Sequence, residues 1–363
     1  MQESKAPNNA ESRYLKRFAK WLLIVVGLSI FLLFSMAIHV AIGPMSITVE
    51  NALGIILHQV PILGNLVNVQ WTSLEEAVVV QLRLPRVLSA VLAGIALSIA
   101  GTVFQGLFKN PMADPYMLGL ASGAGFGASL AIVLGFGLSS MGAIYAIPLM
   151  ASIGAISTMF LVYGIARTSS GIPVLRLLLA GMSVGSFFSA LIWIMMVIAG
   201  ESAHVLVFWL FGGFTMARWE HICIAAPVIL LGFIAIYAVA RDLNIMLLGE
   251  DQARQLGVEV ETVKKLMLVL ASVVTAAAVS ISGAIGFVGL IIPHMMRILV
   301  GPDHRILLPS SALAGAILLV LCDSLTKEVA SVGTIGLPIG VITAMLGCPF
   351  FIYLLIRSKK IRM

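Results

Sequence analysis

Residues 81–130 read QLRLPRVLSAVLAGIALSIAGTVFQGLFKNPMADPYMLGLASGAGFGASL. Two apolar segments, each long enough to cross a bilayer core of about 30 Å, flank a polar hinge that carries Lys109, Asn110, Pro111, Asp114 and Pro115. The second segment holds Gly119, Gly123 and Gly127 at four-residue spacing. On a helix this spacing makes one face without side chains, and in lipid such faces let two backbones approach closely. Gly181 and Gly185 repeat the device further along, and the five glycines are expected to be helix-packing positions.

Composition extends this reading to the whole chain. Of 363 residues, 60% are hydrophobic and 10% charged, against about 25% charged in a soluble domain. The chain is therefore expected to be an all-α integral membrane protein. Windows of about 20 apolar residues give about ten transmembrane helices, near 21–42, 85–106, 117–137, 144–166, 174–199, 221–240, 264–284, 286–300, 307–327 and 338–356. Residues 1–20 form a polar N-terminal tail, 21–356 one polytopic domain and 357–363 a basic C-terminal tail. The segment from Trp21 to Val40 is longer than a signal-peptide core, has no small-residue cleavage site and is expected to be retained. Cys223, Cys322 and Cys348 are far apart inside apolar segments and are read as small core residues.

Orientation follows from counting charges. With the N-terminus in the cytoplasm, eighteen of the 22 Lys and Arg residues fall inside, leaving Arg83, Arg86, Arg218 and Lys327 outside. The positive-inside rule thus predicts cytoplasmic termini and an even number of spans. A sequence pI near 9.4 then needs no nucleic acid partner. Outside, residues 43–81 are expected to contain a surface-lying helix with Trp71 at the interface.

If ATP drives this protein, the ATPase is a separate chain. No GxxxxGK[ST] occurs, and no Lys is followed by Ser or Thr. No HExxH is present, the chain is not read as an enzyme, and no cofactor or metal is implied. Ion-coupled carriers place carboxylates deep in the membrane; here the deepest is Asp323, so an ion-coupled secondary transporter stays as the rival reading. His294, Arg297, Asp303, His304 and Arg305 are read as a structural polar cluster around a short eighth span.

The longest internal polar segment, RDLNIMLLGEDQARQLGVEVETVKK at 241–265, is expected in the cytoplasm as two short helical pieces parted by Gly249 and closed by Gly257. In the second piece Ala253 and Leu256 are expected to share an apolar face, with Glu250, Asp251 and Arg254 solvated; such a helix can plug a cleft in a partner.

The quoted stretch, together with SGAIGFVGLIIPHMMRILVGPDHRILLPSS at 282–311, resembles the FecCD-type permeases, the membrane subunits of ATP-driven importers for iron-siderophores, haem and cobalamin. The resemblance implies a type II ABC importer permease in the inner membrane. It further implies a homodimer, two separate ATPase subunits and a periplasmic or lipid-anchored substrate-binding protein. The cargo it implies is a ferric siderophore or similar metal chelate, with cobalamin, haem or a molybdate-type oxyanion as alternatives. Asp251, Gln252, Ala253 and Gly257 look like a degenerate coupling signature, which makes Glu250, Asp251, Ala253, Leu256 and Gly257 the expected ATPase contact. Arg83, Arg86 and Lys327 stand where related permeases receive acidic residues of the binding protein. Pro173, Val174 and Leu175 align with the cytoplasmic constriction, here apolar enough to close by dewetting. Gly336 occupies a position where the family commonly has Glu.

Overall fold

The computed structural model describes residues 7–61, 64–66, 68–136, 141–169, 171–331 and 337–359. Gly336 lies outside them. The described residues form fifteen α-helices: α1 (Pro7–Ala41), α2 (Val49–His58), α3 (Ser73–Val78), α4 (Leu84–Leu107), α5 (Leu120–Val133), α6 (Met141–Ala166), α7 (Val174–Ile198), α8 (Ala203–Phe211), α9 (Trp219–Ala238), α10 (Ala240–Met246), α11 (Glu250–Gln255), α12 (Val260–Ser282), α13 (Val288–Val300), α14 (His304–Ser331) and α15 (Ile339–Lys359). Seven helices are long and apolar enough to cross a membrane, among them α1, α4, α6, α7, α9, α12 and α14. The other three expected spans correspond to the shorter apolar helices α5, α13 and α15.

The buried centre is α4, which runs antiparallel to α14. Gly94 faces Gly315, Gly106 faces His304, and Arg86 meets Asp323; each residue number gained on one helix is lost on the other. The α5–α6 pair follows the same rule, with Gly123 against Gly154 and Thr158, and Gly127 against Met150. A Cβ on Gly123 or Gly127 would strike its neighbour's backbone, so glycine permits the contact that dispersion then stabilises.

Gly119 departs from the expected face. It adopts φ +75 and caps a 3-10 turn, Pro115–Leu118, immediately before α5. The reason is local: Asp114 Oδ1 accepts the Tyr116 N–H at 2.7 Å and starts a turn, and glycine closes it at no steric cost. Gly119 nonetheless packs on α7, against Gly181 and Gly185.

Apolar side chains on the outside of the bundle, such as Leu23, Leu33, Leu231 and Ile298, are exposed, as suits a chain whose solvent is lipid. The same logic corrects the cysteines. Cys322 is buried, but Cys223 and Cys348 are exposed, because apolar sequence in a membrane helix does not distinguish the core side from the lipid side. Between α1 and α4, α2 lies with its Gly54 against the ring of Trp71; Trp71 is buried beneath it and meets His58 edge-on at 5.7 Å.

Candidate coupling segment, gate turn and outer cation cluster

Three sites lie at the two ends of the bundle. One end collects the start of α1, α10, α11 and the start of α14. There Arg17 pairs with Asp303 at 3.4 Å, and Asn244 Nδ2 donates to Asp303 Oδ1 at 2.7 Å. Asn244 Oδ1 in turn accepts from the His304 backbone N–H at 2.8 Å. These bonds hold the start of α14, whereas the buried Nδ1 of His294 and Nε and Nη2 of Arg297 on α13 have no hydrogen-bond partner; no metal-binding group of His, Cys, Asp and Glu occurs among the described residues.

At this same end the 241–265 segment forms α10, a turn, α11 and the first turn of α12. Gly249 at φ +137 separates the two short helices and Gly257 at φ +86 closes the second. Both are backbone conformations that glycine reaches readily. The expected apolar face does not form. Ala253 is 0% exposed and packs inward, whereas Leu256 is 62% exposed. α11 is only six residues long and ends before Leu256, so helical spacing does not carry across its C-cap. The exposed apolar pair is Leu248 and Leu256, one on each side of α11. Leu248 was missed because it precedes the helix whose periodicity was read. Asp251 and Arg254 form an exposed pair at 3.1 Å, while Glu250 is drawn back to Lys264 at 2.7 Å.

Pro173 is the N-cap of α7, with φ −67 and ψ 126. It follows a tight turn in which the Thr168 N–H donates to the Gly171 carbonyl at 2.9 Å. Leu175 is 70% exposed. With Leu179, Met182, Trp193 and Val197, all exposed, it lines one face of α7 at helical spacing.

At the opposite end the structure brings Arg83, Arg86 and Lys327 together and turns them inward. Arg83 is 5% exposed. Its guanidinium donates to the carbonyls of Val40, at 2.7 Å, of Ala41, at 2.8 Å, and of Met45. The first two are carbonyls that the end of α1 leaves without helical partners, where a cation is also favoured by the helix dipole, and Met45 lies in the loop that follows. Arg86 makes a two-pronged contact with Asp323, Nε to Oδ2 and Nη2 to Oδ1, both at 2.7 Å. Asp323 Oδ2 also lies 2.7 Å from His39 Nε2. Lys327, 7% exposed, donates to His39 Nδ1 at 3.2 Å and to the His39 carbonyl at 3.1 Å. Because Nδ1 accepts from Lys327, His39 donates through Nε2, and the proton order runs Lys327 to His39 to Asp323. A free, outward-facing trio is therefore not what forms: Arg83 and Lys327 are consumed by α1 and His39, and only Arg86 keeps part of its side chain exposed. No local pattern marks this contact, since His39 and Asp323 are 284 residues apart.

A bundle of long apolar helices with a polar segment at one end defines the class: a multi-pass helical membrane protein. The chain belongs to the FecCD transport family, whose model it matches over residues 30–357. It is 44% identical over 287 residues to the cobalamin import system permease of Halobacterium salinarum, covering 79% of this chain and 75% of that one. It is 39% identical over 352 residues to an uncharacterized ABC transporter permease of Bacillus subtilis, covering 97% and 98%. A solved structure described as an inward-facing conformation of a metal-chelate type ABC transporter superposes with TM-score 0.78 at 33% identity, covering 92% of this chain and 99% of that one.

Proposed function

We propose that this permease works as a homodimer with two ATPase subunits, carrying a metal chelate of the siderophore, haem or cobalamin kind into the cytoplasm. The observation that carries the reading is the segment at Gly249–Gly257, which leaves Leu248 and Leu256 exposed beside charged residues at one end of the bundle. Lipid is not expected there, since this end also holds the Arg17, Asp303 and Asn244 cluster, and the charge count puts it in the cytoplasm. The ATPase cleft is thus read as the cover for the two leucines. The cargo class is supported by the cobalamin import system relative and the metal-chelate type structural neighbour. The binding protein is assigned to the end of α1, α4 and α14, with Arg86 as the cation still reachable there.

Replacing Leu256 with Asp is expected to abolish co-purification of the ATPase while leaving membrane insertion intact; a normal yield of ATPase with the variant overturns the coupling reading. The gate and the dimer have their own test. In a background where Cys223, Cys322 and Cys348 are replaced by Ser or Ala, Leu175→Cys is expected to cross-link to the second copy without nucleotide and to lose that cross-link in at least one nucleotide state. Absence of the cross-link in every state means that the α7 start does not lie at a dimer axis.

A further inference from the structure

We infer that Lys264 is a positioning residue that ties the coupling segment to the gate turn, so that movement of α11 is delivered to the start of α7. The inference rests on the coupling reading above. Lys264 is 7% exposed, and lysine is almost never buried unless paired. Its ammonium lies 2.7 Å from Glu250 Oε1 on α11 and 3.6 Å from Glu261 Oε1 on its own helix, α12. One cation thus neutralises two carboxylates, the first belonging to the segment that faces the ATPase.

The second carboxylate reaches the gate side. A Cβ built on Gly171 would stand 2.8 Å from Glu261 Oε1 and 3.0 Å from Oε2, so the Glu261 side chain rests directly on the turn backbone. Glu261 Oε2 is buried with no hydrogen-bond partner. Gly171 has φ +120 and lies two residues before Pro173. That turn is held by Thr168, whose hydroxyl donates to the Gly171 carbonyl at 2.8 Å. Beside the contact is a polar cavity of about 270 Å³ lined by Arg167, Thr168, Gly171, Glu261 and Lys265. Glu261 thus touches the turn, and Lys264 joins Glu261 to Glu250. Without the ammonium the two carboxylates repel, and the push from α11 is no longer carried to Gly171.

The test uses the full complex with its ATPase and binding protein in proteoliposomes, comparing Lys264→Met, Lys264→Arg and Glu261→Gln. The expected result is that Lys264→Met retains its ATPase, because Leu248 and Leu256 are untouched, but moves about tenfold less cargo per ATP hydrolysed, equivalent to about 1.4 kcal/mol of lost coupling. Lys264→Arg, which keeps the cation, is expected to restore the ratio, a rescue that a purely structural lysine does not require in the transport-to-hydrolysis ratio. Glu261→Gln is expected to lower that ratio with assembly intact, and it decides the matter if Lys264→Met fails to assemble. An unchanged ratio in Glu261→Gln, or in an assembled Lys264→Met, overturns the link. The coupling reading falls separately, through ATPase retention by the Leu256→Asp variant, so the two failures are distinguishable.

Discussion

Replacing Asp323 with Leu is expected to cost about 3–5 kcal/mol of stability, the penalty for leaving a buried charge without its partner. Asp323 is fully buried and is the sole carboxylate that the structure places on Arg86, through two 2.7 Å contacts, and on His39 Nε2 at 2.7 Å. Its removal strands the Arg86 guanidinium and takes the acceptor from the imidazole that orients Lys327. Thermal unfolding in detergent, followed by size-exclusion chromatography, should show a sharp fall in the folded fraction. The double variant Arg86→Met with Asp323→Leu is expected to recover most of the loss, because removing both charges eliminates the desolvation cost together with the attraction. A single variant as stable as the parent means that the pair contributes nothing. A double variant no better than the single one means that the stranded guanidinium is not the cause.

The second large effect is expected at Gly101. A Cβ there would lie 2.6 Å from the Cα of Gly289 and overlap its carbonyl group, so at this point α4 and α13 meet backbone to backbone. Overpacking costs about 1–3 kcal/mol where side chains give way, and more where they cannot; here the obstacle is main chain. Gly101→Val should reduce recovery of folded permease several-fold after detergent extraction. Gly27→Val on α1, where nothing stands within 4 Å, should leave it unchanged. Equal recovery of the two variants would show that α13 can retreat from α4.

Helices and their packing devices were readable along the chain because they are local. The apolar windows located the ten segments, and glycine spacing marked Gly123 and Gly127 as close-approach positions. Gly119 escaped that reading because an Asx turn at Asp114 overrides helical spacing just where the pattern begins. Ala253 and Leu256 escaped for a related reason: a six-residue helix bounded by glycines does not carry its periodicity past its cap. Lys264, which joins α12 to α11, has a local partner in Glu261 three residues before it, but its contact with Glu250 lies fourteen residues away and no local pattern marks it.

By itself the sequence determined that this chain lives in a membrane, which of its segments are apolar enough to sit there, and which permeases it resembles, since all of these follow from composition, span length and contiguous motifs. Only the tertiary structure decided what the charges do. Arg83 serves the last carbonyls of α1, Arg86 and His39 share one carboxylate of α14, and Lys264 holds α11 to α12. The physical reason is that an ion buried in low dielectric must find its partner in space, and the partners of Arg83, Arg86 and His39 stand tens to hundreds of residues away along the chain.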